Sequence, residues 1–186
     1  STHAIEGRGP DGPLLLPAAR RGAGPGEFAG IGRVTALAGD SIGVFDGLRT
    51  GLTVFDDRGT LARMQRVPAE RMGGRQLHGL LADGSLVLSR AYNPMFSREP
   101  KLERDSVTYF VAAPDGQTVD SLGPYPGSET FVMGTAEFSS RRGRAFGRVA
   151  VIVVRGDDLI LGSSDRYELE IRGGDEDLRH ALHLRA

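Results

Sequence analysis

Short β-type runs separated by sharp turns recur along the whole chain, and this repeat constrains the fold more than any other feature. It is densest between residues 22 and 67, where a Gly-Pro-Gly corner precedes β-branched and aromatic runs and an Asp-Arg-Gly turn at 57–59. Glycine supplies the positive φ of such corners without a Cβ clash. The 27 Gly and 10 Pro among 186 residues, with almost no helical period, therefore predict an all-β fold.

Aligning the chain on its turns predicts repeated units of four strands. Full units cover residues 22–67, 76–123 and 145–186, and residues 1–21 resemble the last hairpin of a preceding unit. The equivalent hairpin turns each contain a glycine: Gly12, Gly59, Gly116 and Gly174.

Two insertions lie outside this repeat, at residues 91–105 and 125–144. We expect both to be loops, because a rigid scaffold tolerates variable length there and carries function on such segments.

A single four-stranded unit cannot cover both of its faces, so repeated units predict a β-propeller whose blades cover one another. We count about three and a half antiparallel blades, which do not close a ring. Open edges invite aggregation, so we expect this sequence to be part of a larger, six-bladed ring.

Four segments resemble bacterial six-bladed β-propellers of the NHL-repeat type, in the TolB-like superfamily. The segments are 22–28, 52–59, 80–87 and 162–169. The resemblance implies a scaffold that binds proteins, sugars or other ligands, with a few lactonases and lyases among relatives. It also implies that the first strand of each blade is innermost. One face would then carry residues 22–28, 46–50, 91–105, 125–144 and 163–166 together.

Composition excludes several classes of protein. A formal net charge of −1 provides no basic stripe for nucleic acid, and the absence of cysteine excludes disulfides and thiolate chemistry. The longest apolar run, residues 149–154, is too short for a membrane span and reads as a buried strand. The sequence begins at Ser1 and not at methionine, so either a signal peptide has been removed or the sequence is a piece of a longer one. We expect an extracytoplasmic protein, whether periplasmic, secreted or lipid-anchored.

Candidate ligand- or partner-binding residues lie on the face that carries the insertions. Carboxylate and guanidinium groups recur in two units, and the first insertion adds aromatic and amide groups of the kind found at recognition surfaces. The residues are Asp46, Arg49, Tyr92, Asn93, Asp165 and Arg166. The alternative is structural: each aspartate bonds the backbone of its own loop, and each arginine pairs with a neighbouring blade.

No catalytic or metal site is predicted. His180 and His183 would point to opposite faces of one strand, and Glu27 is expected to cap backbone amides at the glycine corner. Together with Glu129 and Glu137, Glu27 could instead supply ligands for calcium.

These observations predict a non-catalytic module that binds a protein or a small polar ligand and needs no cofactor. A calcium-assisted lactone or ester hydrolase, acting at the axial mouth of the ring, is the alternative.

Overall fold

The computed structural model describes Gly22, Gly24 and residues 26–67, 76–91, 100–117, 119–134, 139–165, 168–173 and 180–183. Within them every regular element is a β-strand in an antiparallel sheet, which confirms the predicted all-β class. One sheet is strongly curled into a half-barrel. The chain divides into two compact units, the first made of Ser1–Leu77 and Pro114–Thr118, the second of His78–Ala113 and Val119–Ala186.

The first unit contains a four-stranded antiparallel meander. Its strands, in spatial as well as sequence order, are β1 (Ile31–Ala36), β2 (Ile42–Asp46), β3 (Gly51–Phe55) and β4 (Leu61–Arg66). Val44, Phe45 and Leu52 on the two central strands are at most 1% exposed. Side chains alternate between the faces of a strand, so consecutive buried residues mean that both faces of this sheet are covered.

The second sheet has five strands in the order β5-β6-β7-β8-β9. They are β5 (Gln76–Leu80), β6 (Leu86–Ala91), β7 (Lys101–Ala112), β8 (Val119–Gly134) and β9 (Ser139–Gly143). Two register shifts interrupt the β7–β8 ladder, and such bulges bend and twist a strand pair. Leu86, Val87 and Leu88 of β6 are fully buried.

The prediction of loops in both insertions is wrong where they are described. Residues 101–105 extend β7, residues 125–134 extend β8, and residues 139–143 add a fifth strand. Pairing explains the difference, because Leu102 lies opposite Phe131 and Glu103 opposite Thr130, so the two segments complete one long ladder.

The third sheet is again a four-stranded meander. It consists of β10 (Ala150–Arg155), β11 (Asp158–Ser163), β12 (Glu168–Arg172) and β13 (His180–His183). The predicted strand at 149–154 therefore exists, but its burial alternates between half-buried and exposed residues.

The glycine turns behave as the repeat predicts where they are described. Gly59 and Gly116 have φ of 77° and 70°. The Asp56 carboxylate organises the first turn by accepting the backbone N–H groups of Arg58 and Thr60, at 3.0 and 2.7 Å. Gly12 and Gly174 lie outside the described residues.

Candidate functional site

Asp46, a predicted site residue, lies at the end of β2 with its side chain only 6% exposed. Its carboxylate accepts four backbone N–H groups, from Ala29, Gly30, Leu48 and Arg49, at 2.7 to 3.2 Å. Oδ1 accepts three of these bonds and Oδ2 accepts the one from Ala29. The bonds from Leu48 and Arg49 are those of the structural alternative, in which Asp46 organises its own loop. The bonds from Ala29 and Gly30 join that loop to the segment before β1.

Arg49 connects the same loop to the glycine corner. It donates to the carbonyl oxygens of Glu27, at 3.2 Å, and Gly22, at 2.6 Å. The Glu27 carboxylate accepts the N–H of Gly24 at 2.8 Å, which confirms the predicted capping role. Arg49 and Glu27 thus hold the corner through backbone contacts within the first unit.

The described part of the second unit contains an open cleft of about 550 Å³. This volume lies within the range typical of small-ligand sites. Strands β7 and β8 form one wall, and β10, β11 and β12 form the other. The polar and aromatic lining residues are Arg104, Tyr109, Tyr125, Ser163, Asp165, Glu170 and Arg172.

One end of the cleft is a hydrogen-bonded cluster around Arg104. The guanidinium donates to both oxygens of Asp165, at 2.9 and 3.4 Å, to Ser163 Oγ at 2.8 Å, and to the carbonyl of Gly127 at 3.1 Å. Ser163 also donates its hydroxyl hydrogen to Asp165. The Arg104 bonds, and then that of Ser163, hold the pKa of Asp165 well below its ordinary value of 3.8, so this carboxylate is ionised.

The other end of the cleft is aromatic and charged. The Arg172 guanidinium lies 5.3 Å from the centre of the Tyr125 ring and donates to Glu170 at 2.7 Å. The Tyr125 ring is 5.5 Å from that of Tyr109. Burial, and to a smaller extent Tyr125, raises the pKa of Tyr109 above its ordinary value of 10.0.

Of the predicted site residues, the structure describes three. Asp46 and Arg49 lie in the first unit, and Asp165 lines the cleft of the second. Tyr92, Asn93 and Arg166 lie outside the described residues. The ligand-binding role of all six stays a prediction.

The repeat predicts that Asp46 and Asp165 occupy equivalent positions of their sheets. The structure shows that they do not. The hydrogen bonds Gly47 N–H to Gly30 O and Ser164 N–H to Val149 O, each 3.0 Å, mark the same place after the second strand. They align Asp46 with Ser163, two residues before Asp165. The aspartate and the arginine therefore occupy different positions relative to the second strand in the two loops.

Arg104, Tyr125 and Arg172 are cleft residues that the sequence did not single out. Arg104 and Tyr125 do belong to the two insertions, which were predicted to share a face with residues 163–166. At least one residue from each of these three segments lines the cleft. The available signal was therefore the grouping of segments, not the identity of the residues.

The proposed calcium ligands make other contacts. Glu27 accepts the N–H of Gly24. Glu129 accepts hydrogen bonds from Arg144 Nη1 at 3.1 Å and from the backbone N–H of Arg148 at 3.2 Å. Glu137 lies outside the described residues. No group of three or more His, Asp or Glu side chains in the described ranges is arranged to hold a metal ion.

His180 and His183 lie on β13, a strand as the prediction assumed. In the part of the chain that the structure describes, no helix is long and apolar enough to cross a membrane. Comparison with known proteins finds no family model and no curated protein that matches this chain.

Proposed function

We propose that this chain is a non-catalytic binding module that holds a small polar ligand in the cleft of its second unit. The observation that carries the proposal is the Arg104–Ser163–Asp165 cluster at one end of a cleft of about 550 Å³. Ligand sites of this size combine apolar walls with a few polar groups that fix orientation. Ala150, Leu161 and Leu169 supply apolar wall here.

The polar groups of the cleft favour a ligand without strong net charge. Arg104 is paired with Asp165, and Arg172 with Glu170, so each cation has a carboxylate partner. Their side chains are 22–35% exposed, which leaves donor and acceptor positions open to the cleft. A neutral molecule that both donates and accepts hydrogen bonds meets this lining without leaving a charge unpaired.

We further propose that the sheets are blades of a six-bladed β-propeller of the NHL-repeat type. The first and third sheets support this, since both are four-stranded antiparallel meanders of the kind found in propeller blades. Repeated glycine turns at Gly59 and Gly116 add to that support.

The binding proposal is tested by ligand-observed NMR with a panel of neutral monosaccharides, amino acids and small dicarboxylates. We expect a neutral member to bind and Arg104→Gln to weaken its binding about tenfold or more, because a charged hydrogen-bonding partner is removed. Arg142→Gln is the matched control, since Arg142 is an exposed arginine of β9 that does not line the cleft.

Binding that both variants leave unchanged would place the ligand elsewhere, and a panel without any binder would contradict the proposal. Repeating the NMR measurements with a lactone added to the panel, with and without calcium, tests the hydrolase alternative. Turnover of a lactone that depends on calcium would replace the proposed function, whereas unchanged ligand signals support it.

A further inference from the structure

One end of the cleft in the second unit presents a cation and an anion side by side. Arg104 Nη1 lies 2.9 Å from an oxygen of Asp165, and the two side chains are 23% and 22% exposed. Both residues line the cleft, so a ligand there can reach both charges. The ligand therefore meets a pair of opposite charges and not a single one.

Arg104 is held in place and still has a donor to offer. Its Nε donates to the carbonyl of Gly127, and its terminal nitrogens donate to Ser163 Oγ and to both oxygens of Asp165. These four hydrogen bonds use at most four of the five N–H groups of an arginine side chain. A donor that is already fixed loses little conformational freedom when a ligand binds.

A ligand with a single charge is disfavoured at this pair. An anion on Arg104 would be repelled by Asp165, which is ionised because Arg104 and Ser163 lower its pKa. A cation on Asp165 would be repelled by Arg104 in the same way. An uncharged hydroxyl avoids repulsion, but hydrogen bonds between an ionised group and a neutral one are weaker than those between two opposite charges. A ligand that carries both charges gains from both residues.

The tyrosine rings of the cleft argue against a sugar ring as the ligand. A sugar ring binds well where its C–H groups can lie on an open aromatic face, which is apolar. Here the Tyr125 ring has the Arg172 guanidinium 5.3 Å from its centre and the Tyr109 ring at 5.5 Å. Tyr109 is only 4% exposed. Both rings are packed against other protein groups, so the apolar wall open to a ligand is aliphatic.

We infer that the ligand of this cleft is an α-amino acid with an aliphatic side chain, whose carboxylate binds Arg104 and whose ammonium group binds Asp165, an inference that rests on the proposed function because it names the ligand class of the same cleft. The two charges of an α-amino acid are attached to one carbon atom and so lie side by side, as those of Arg104 and Asp165 do. Its side chain lies against the apolar wall formed by Ala150, Leu161 and Leu169.

Ligand-observed NMR titrations of the wild-type chain with L-leucine and three relatives test this ligand class. Of the relatives, 4-methylpentanoate lacks the ammonium group, 3-methylbutylamine lacks the carboxylate, and the leucine isomer 6-aminohexanoate carries the two charges at opposite ends of its chain. We expect L-leucine to bind, and each relative to bind about tenfold more weakly or worse, because each leaves one residue of the pair without an opposite charge.

Asp165→Asn separates the ammonium contact from a general structural effect. The variant should weaken L-leucine binding about tenfold, and should leave 4-methylpentanoate binding unchanged or tighter, because the repulsion of the carboxylate is removed. A purely structural role of Asp165 would weaken both compounds alike. Asp158→Asn is the matched control, since Asp158 is an exposed aspartate of β11 that does not line the cleft.

L-Leucine that binds no more tightly than its relatives, or that Asp165→Asn does not weaken, overturns the inference. So does a lack of L-leucine binding, and the monosaccharides then decide about the proposed function. If a monosaccharide binds and Arg104→Gln weakens its binding, the cleft is a ligand site for another class of compound. If no compound binds, the proposed function fails as well.

Discussion

The Asp46 carboxylate serves as the hydrogen-bond acceptor for four backbone N–H groups that lie outside the strands of the sheet. It is buried and accepts the N–H groups of Ala29, Gly30, Leu48 and Arg49. In Asp46→Ala these donors lose their acceptor, and a buried donor without a partner costs about 1–3 kcal/mol. We expect the variant to lose about 2–4 kcal/mol of unfolding free energy in urea denaturation, since water can reach some of the donors.

Asp56→Ala provides the comparison. Asp56 also accepts two backbone N–H groups, but in an exposed turn where water replaces it, so its loss should cost about 1 kcal/mol or less. Equal losses in the two variants would show that burial of the Asp46 loop does not matter to stability.

Between elements, β5 packs closely against β10 at Gly79. A Cβ added at Gly79 would lie 2.7 Å from Val154 Cβ, a separation that real Cβ atoms do not tolerate. Gly79→Ala therefore has to push the two strands apart, and we expect a loss of about 1–3 kcal/mol in urea denaturation. Val154→Gly in the same chain should restore part of it, because it removes the Cβ that the added methyl group would meet.

Gly143→Ala on β9 is the control for this prediction, since an added Cβ there meets nothing within 4 Å. Its unfolding free energy should change little. The close approach of β5 to β10 would be refuted if both alanine variants were equally stable.

Strands and turns could be predicted from the sequence because their signals are local. Apolar alternation and the glycine turns place β1 to β4 and β10 to β13, for example through the turn at Gly59. The extension of β7 and β8 was missed, because Leu102 and Phe131 stabilise it as a pair and neither residue signals a strand alone.

For the whole molecule, the candidate site could be predicted only as a grouping of segments. Arg104 and Asp165 are 61 residues apart in sequence, and their hydrogen bonds depend on how two sheets of the second unit meet. A single sequence does not show that Arg104 and Asp165 are close in space. Asp46, in contrast, bonds N–H groups of its own loop, and the sequence did provide this structural alternative.

Three carboxyl groups of the second unit make its unfolding free energy depend on pH in the acidic range. The N–H and then the hydroxyl of Ser85 lower the pKa of Asp83. The backbone N–H of Arg148, and then the side chain of Arg144, lower the pKa of Glu129. The hydrogen bonds from Arg104 lower the pKa of Asp165. A carboxyl group whose pKa is lower in the folded chain binds fewer protons folded than unfolded. Its contribution is therefore complete above the ordinary pKa values, 3.8 for Asp and 4.5 for Glu, and is lost as pH falls below them.

Asp165→Asn isolates one of these contributions. The amide does not ionise, so the variant should be less stable than the wild type at pH 7 and should lose less stability on acidification. The two unfolding free energies are expected to converge as pH falls below 3.8. Urea denaturation of both proteins at pH 7, 5 and 3 measures this. Parallel pH profiles would mean that Arg104 and Ser163 do not favour the ionised form of Asp165.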